Sequence, residues 1–210
     1  MAEKPAPSRC IAWLALATGG VALLGIVAIT LFFTVGGVFG PLNDVCNAAE
    51  ALLSAALAWA LYPVHRARAP RASRFALVAA WVGALVATLG SVWVLSGVTG
   101  WYLAGLYTSV GYALIGVWLF GLNYAALHSG LWPRRLAQLG LLVAIGMLVG
   151  FLAAPGIVGR IDDPAAAPWF VNLGLLSGVG WLLLYPWWCL WLGRWSLTNL
   201  AVQASGSPMA

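Results

Sequence analysis

Long apolar stretches follow one another along most of the chain, separated by short segments rich in glycine, proline, serine and arginine. A helix that crosses a membrane needs about 20 mostly apolar residues. Six stretches are long enough: about 11–35, 42–62, 75–96, 101–127, 136–154 and 169–192. The pattern therefore predicts an all-α protein, a polytopic integral membrane bundle of six transmembrane helices that forms one membrane domain over residues 1–210.

The composition excludes a water-soluble fold. Hydrophobic residues make up 63% of the chain and charged residues 7%, whereas soluble domains are about 45–50% apolar and about 25% charged. The lipid bilayer is therefore the expected partner of most of the surface. A net charge of +5 elsewhere suggests nucleic acid, but here the basic residues lie in loops, where membrane orientation explains them. We expect no nucleic-acid partner.

The basic residues also predict the orientation. If the six stretches are helices, nine of the ten Lys and Arg residues fall on one side, and Arg160 alone falls on the other. The positive-inside rule assigns the basic side to the cytoplasm, which predicts both termini cytoplasmic in a cell inner membrane. The first apolar run exceeds the core of a signal peptide, so we expect a retained helix. The nine residues are Lys4, Arg9, Arg66, Arg68, Arg71, Arg74, Arg134, Arg135 and Arg194.

A weak internal repeat is visible between the middle helices. His65-x4-Pro70-Arg71 recurs as His128-x4-Pro133-Arg134. Residues 42–96 and 101–154 could thus be duplicated hairpins in parallel orientation, an arrangement that some transporters use. Chance similarity within an apolar sequence is the alternative.

Polar residues inside the predicted helices indicate where a ligand site would lie, because each is costly in lipid unless it is paired or hydrated. On the second helix, four polar residues with helical spacing form one stripe, and Glu50 is the only carboxyl deep within it. Polar residues of the fourth and sixth helices lie at comparable depth. A ligand-binding cavity in the outer half of the bundle is predicted from Asn43, Asn47, Glu50, Thr108, Tyr112, Asn172 and Ser177, with Ser54 and Asn123 on the same stripes.

Two interpretations of this cavity remain open. It could bind or transport a small solute or ion, with Glu50 as proton carrier or cation partner. Alternatively, Glu50 could simply bond to Tyr112 or Asn47 between helices. Such bonds stabilise membrane bundles by only about 1 kcal/mol, which is a weak reason to bury a carboxyl. A third possibility needs no ligand at all: a non-catalytic accessory or scaffold subunit of a larger membrane complex.

Other chemistries find little support. The sequence contains no zinc-protease, lipase-type nucleophile, phosphate-loop or dinucleotide motif, so we do not favour an enzyme. His65 and His128 fall at helix ends without further ligands, and the three cysteines form no CxxC pair. We therefore expect no metal and no cofactor.

Two segments resemble an uncharacterised family of bacterial multi-helix membrane proteins, the DUF4386-type family. The first is Ala58-Trp59-Ala60-Leu61-Tyr62-Pro63-Val64, followed by an arginine-rich turn. The second is Leu127-His128-Ser129-Gly130-Leu131-Trp132-Pro133-Arg134-Arg135-Leu136. The resemblance covers less than half of the chain. It implies a helical membrane protein and carries no established activity or catalytic residues.

Overall fold

The computed structural model describes residues 8–204. Lys4, one of the nine basic residues from which the orientation is predicted, lies outside this range. The described part is all-helical, and six of its helices are long and apolar enough to cross a membrane. The all-α class and the six long apolar helices are thereby confirmed. The helices are α1 (Arg9–Thr34), α2 (Phe39–Arg66), α3 (Pro70–Leu95), α4 (Trp101–Ser129), α5 (Arg134–Val158) and α6 (Trp169–Gln203).

The second helix is longer than the predicted 42–62 at both ends. Pro41 lies in its first turn. The N–H groups there have no acceptor within the helix, so the missing N–H of proline costs no hydrogen bond. At the other end, the helix runs through Pro63 to Arg66. The chain reverses before α2 at Gly36 and Gly37, whose φ angles of 80° and 66° fall in the left-handed region that suits glycine.

The last two long helices are irregular in their middle parts. In α5, a 3-10 segment at Val149–Ala153 joins two α-helical parts, and in α6 a π segment occupies Val179–Leu184. Each lies just before a proline, Pro155 or Pro186. Proline cannot donate to the carbonyl four residues earlier, so the regular ladder is interrupted at these two places. The 3-10 segment of α5 packs against the start of α6, and the π segment of α6 packs against α5.

The six helices form a closed ring. Each packs on its neighbour in sequence, and α6 returns to pack on α1. The fourth helix also contacts α2 across the ring and is the most buried of the six. Buried side chains of α2, α4 and α6 therefore meet in the interior of the bundle.

The two ends of the bundle differ in charge. One pocket is lined by the start of α1, the end of α2, the α4–α5 connection and the last part of α6, so these segments meet at one end. The described arginines other than Arg160 lie at this end, which we call the basic end. At the opposite end, Asp162 of the α5–α6 connection bonds to the start of α4.

Candidate functional site

Glu50 lies near the middle of α2 and is almost completely buried. It follows Phe39 by 11 residues in a helix of 28, which places it roughly 16 Å along an axis of about 42 Å. Its relative exposure is 1%, and its Oε1 atom has no hydrogen-bond partner. The Tyr112 hydroxyl of α4 also interacts with this carboxyl, but Oε1 keeps the capacity to accept a further hydrogen bond or to bind a cation.

Two tyrosines from opposite helices bracket this carboxyl. The Tyr112 hydroxyl of α4 donates to the backbone carbonyl of Asn47 over 3.2 Å. The Tyr185 hydroxyl of α6 donates to Ser54 Oγ over 3.0 Å, and Ser54 in turn donates to the backbone carbonyl of Glu50 over 2.7 Å. Glu50 therefore lies at the level where α2, α4 and α6 are bonded together.

The π segment of α6 contributes an aromatic wall to the same level. Trp181 stacks on Tyr112 with ring centroids 4.6 Å apart and an interplanar angle of 10°. Its Nε1 atom is buried and has no hydrogen-bond partner. The thiol of Cys189 is also buried and lies within electrostatic range of the Glu50 carboxyl. Polar groups of α4 and α6, namely Tyr112, Tyr185 and Cys189, therefore lie close enough to interact with Glu50.

No described basic side chain neutralises Glu50. The arginines of the described part fall at helix ends or in connections, and the one that ends the same helix, Arg66, is 16 residues away, or about 24 Å along the axis. An unpaired carboxylate in an apolar interior carries a large desolvation cost. The arrangement is chemically suited to a neutral carboxylic acid or to a carboxylate that holds a cation.

The structure brings together three of the seven predicted site residues, namely Asn47, Glu50 and Tyr112. Asn43 lies on the side of α2 that faces α1, where its Oδ1 atom is buried without a partner near Gly25. The Thr108 hydroxyl donates to the Ala104 carbonyl of its own helix over 3.1 Å.

The two residues predicted from the sixth helix lie elsewhere. Asn172 is at the opposite end, where its Oδ1 accepts from the Tyr102 hydroxyl over 2.6 Å and its Nδ2 donates to the Pro164 carbonyl over 3.3 Å. Ser177 is fully buried and packs beside Gly150 of α5. The contribution of α6 comes instead from Trp181, Tyr185 and Cys189. Sequence reasoning missed Tyr185 and Cys189, although their i, i+4 spacing places them on one helix face.

Polar side chains lie on both sides of Glu50 along α2. Asn47 follows on the same face towards the opposite end, and Ser54 follows towards the basic end. Beyond Ser54, large buried apolar side chains fill the interior. These are Leu57, Leu61, Trp118, Leu119 and Leu122. Apolar packing therefore separates Glu50 from the basic end.

Metal-binding geometry is not found in the part of the chain that the structure describes. No group of three or more His, Cys, Asp or Glu side chains there could hold a metal ion. His65 is buried with an unpartnered Nε2 and packs beside Gly121 of α4. His128 is bonded through Nδ1 to the Tyr124 carbonyl of its own helix, at 2.8 Å.

No family model matches the chain, and no curated protein or solved structure matches it either. The DUF4386-type resemblance therefore stays a hypothesis.

Proposed function

We propose that the protein is a multi-pass membrane protein that binds a small solute or ion at Glu50 and transports it. The observation that carries this proposal is the burial of Glu50 at 1% exposure with an unpartnered Oε1. Ionisable groups inside membrane helices are rare, and where they occur they mark ion and proton pathways. Interhelical bonding alone needs no free carboxyl oxygen, and a neutral amide would serve as well.

Within this proposal the ligand is a proton or a small cation, including a cationic organic solute. Glu50 is the only carboxyl among the groups that meet at this level, and no described arginine competes with a bound cation. The stacked pair of Tyr112 and Trp181 adds aromatic faces, which attract cations. Anions find no positive partner there.

The proposal also includes an orientation. The basic end faces the cytoplasm by the positive-inside rule, and both termini lie on that side. Asn47 then lies on the exterior side of Glu50, while Leu57 and Leu61 lie between Glu50 and the cytoplasmic end. Since Glu50 is buried at 1% exposure, transport under this proposal requires a rearrangement of the packing on both sides of the carboxyl.

A hydrophobic carbodiimide tests this site directly, because it modifies protonated carboxyls in apolar surroundings. The protein, purified in mild detergent, is treated with the reagent alone and with a panel of monovalent cations and small amines, and Glu50 is followed by peptide mass spectrometry. We expect modification of Glu50 and at least one cation that slows it about tenfold. Two controls establish which carboxyl is labelled. The Glu50→Gln variant lacks the carboxyl, and the half-buried Asp44 of the same helix is followed as the comparison carboxyl.

Proteoliposome measurements give the second half of the test. Cation-dependent pH changes inside the vesicles are recorded for the wild type and for Glu50→Gln. Loss of the signal in the variant supports the proposal. The proposal is contradicted if no cation slows the labelling of Glu50 and the wild type and Glu50→Gln give identical pH recordings. That outcome, with a second membrane protein copurifying in fixed ratio, favours the alternative of an accessory or scaffold subunit.

A further inference from the structure

A small pocket with a cavity volume of about 30 Å³ opens at the basic end, far from Glu50. Four segments converge on it: the start of α1, the end of α2, the α4–α5 connection and the last part of α6. Leu61, Val64 and Leu192 supply apolar walls, and Trp132 and Ser196 supply polar groups. The pocket is therefore an apolar recess with two polar atoms in its lining.

Both polar groups are buried without a partner. Trp132 is 6% exposed and Ser196 0%, and neither the indole Nε1 nor the Ser196 Oγ has a hydrogen-bond partner. An indole N–H can only donate, and a hydroxyl can donate as well. Buried donors without acceptors are costly. The pocket is consequently suited to a molecule that brings acceptor oxygens.

Basic residues are concentrated at this end of the bundle, although none of them lines the pocket itself. Each of the four converging segments carries an exposed arginine within two residues of a lining residue. The acidic residues of the described part lie elsewhere in the bundle, at Asp44, Glu50, Asp162 and Asp163. The positive charge of the basic end is therefore not neutralised by any of them. The four arginines are Arg9, Arg66, Arg134 and Arg194.

We propose that this pocket takes a headgroup oxygen of one anionic phospholipid from the leaflet at the basic end. A phosphate or ester oxygen enters the pocket and accepts from Trp132 Nε1 and Ser196 Oγ, while the rest of the lipid stays outside it, with its negative charge near the exposed arginines of this end. Basic pockets between membrane helices on the cytoplasmic side commonly take such headgroups. The inference rests on the proposed membrane insertion and is independent of any role of Glu50.

Native mass spectrometry of the full chain from nonionic detergent tests the proposal. The protein is titrated with phosphatidylglycerol, with phosphatidylcholine and with phosphatidylglycerol plus millimolar inorganic phosphate. We expect one tightly held phosphatidylglycerol, little retention of phosphatidylcholine and no displacement by phosphate. Displacement by phosphate would identify free phosphate as the ligand and overturn the lipid assignment, and so would equal retention of the two lipids.

Matched variants separate the pocket from general attraction to arginine. Trp132→Phe keeps a ring but loses the N–H, and Ser196→Ala loses the hydroxyl; each should weaken lipid retention about tenfold, as expected for one hydrogen bond to a charged group. Ser91→Ala removes another buried, unpartnered hydroxyl and should have no effect. Arg134→Gln should weaken binding and Arg160→Gln should not.

The outcome that contradicts the pocket is wild-type retention in both Trp132→Phe and Ser196→Ala when their unfolding temperatures match the wild type. If either variant unfolds at a lower temperature than the wild type, Arg194→Gln is tested in its place, because it changes only an exposed side chain. Glu50→Gln should retain the lipid fully. Failure of the lipid site and failure of the Glu50 proposal are therefore distinguishable.

Discussion

The Tyr112 hydroxyl of α4 donates to the backbone carbonyl of Asn47 on α2, over 3.2 Å, one helical turn before Glu50. A carbonyl oxygen has two lone pairs, so it can accept this bond in addition to the one within its own helix. The tyrosine ring also stacks on Trp181 of α6. One side chain thus connects three helices at the level of the buried carboxyl.

Tyr112→Phe should lower the free energy of unfolding by about 0.5–1.5 kcal/mol, because the ring and its stacking stay while the hydrogen bond is lost. Denaturant unfolding in detergent, followed by tryptophan fluorescence, measures the change. Tyr124→Phe is the matched control, since Tyr124 is 53% exposed. Equal effects of the two substitutions would mean that the Tyr112–Asn47 bond contributes nothing measurable.

The grouping of Asn47 and Glu50 with Tyr112 could be predicted because helical spacing alone puts Asn47 and Glu50 on one face. The place of Asn172 and Ser177 could not. The helix is interrupted by a turn at 175–176, between these two residues, so regular helical counting did not apply to them. The π segment that follows in α6 changes which later residues face inwards, and Tyr185 was therefore overlooked.

Contacts between distant segments were also beyond the sequence. Asp162 bonds to a residue 62 positions earlier in the chain, and no local pattern identifies such a partner. The neighbouring Asp163 differs, because its bond to Ala165 N is local. The six helices, by contrast, needed no long-range information, because each apolar run is long enough by itself.

Close packing of α3 on α4 depends on two facing glycines, Gly83 and Gly111. A Cβ on Gly111 would lie 2.6 Å from the Gly83 carbonyl oxygen and 2.6 Å from Ala87 N, so the helices would have to separate. Gly111→Ala should therefore destabilise by about 1–3 kcal/mol. Gly20→Ala, where nothing lies within 4 Å, should be neutral or stabilising by up to about 1 kcal/mol. Thermal unfolding of both variants checks this, and a stable Gly111→Ala would contradict the tight crossing.

A second interhelical bond joins Asn123 of α4 to Trp188 of α6, with Nε1 donating to Oδ1 over 3.2 Å. Both residues are fully buried. Asn123→Ala should destabilise by about 1–3 kcal/mol, since it leaves the indole N–H unpaired and opens a small cavity. In Asn123→Ala/Trp188→Phe no unpaired donor remains.

A double-mutant cycle measures this coupling. The double variant should be more stable than the sum of the two single effects predicts, by about 0.5–1.5 kcal/mol. Additive effects would show that the bond does not couple α4 to α6. The cycle is a fair test because both substitutions keep apolar side chains in the interior.

The start of α4 is held by Asp162 from the α5–α6 connection, whose carboxylate accepts from Gly100 N over 2.5 Å and from Leu103 N over 3.0 Å. The first N–H groups of a helix have no partner within it, and a negative charge there is favourable. Gly100 itself has no side chain to cap the helix, so the distant aspartate takes over this role. Asp162→Ala should lower the free energy of unfolding by about 0.5–2 kcal/mol.

Asp163→Ala is the matched control for the cap, because the Asp163 carboxylate accepts only from Ala165 N within its own turn, at 2.9 Å. It should cost less than Asp162→Ala. Hydrogen exchange gives the local readout: in Asp162→Ala the amides of Gly100 and Leu103 should exchange faster, because both lose their acceptor, while amides in the middle of α4 stay protected. If the two variants lose equal stability and the Leu103 amide stays protected, Asp162 does not cap α4.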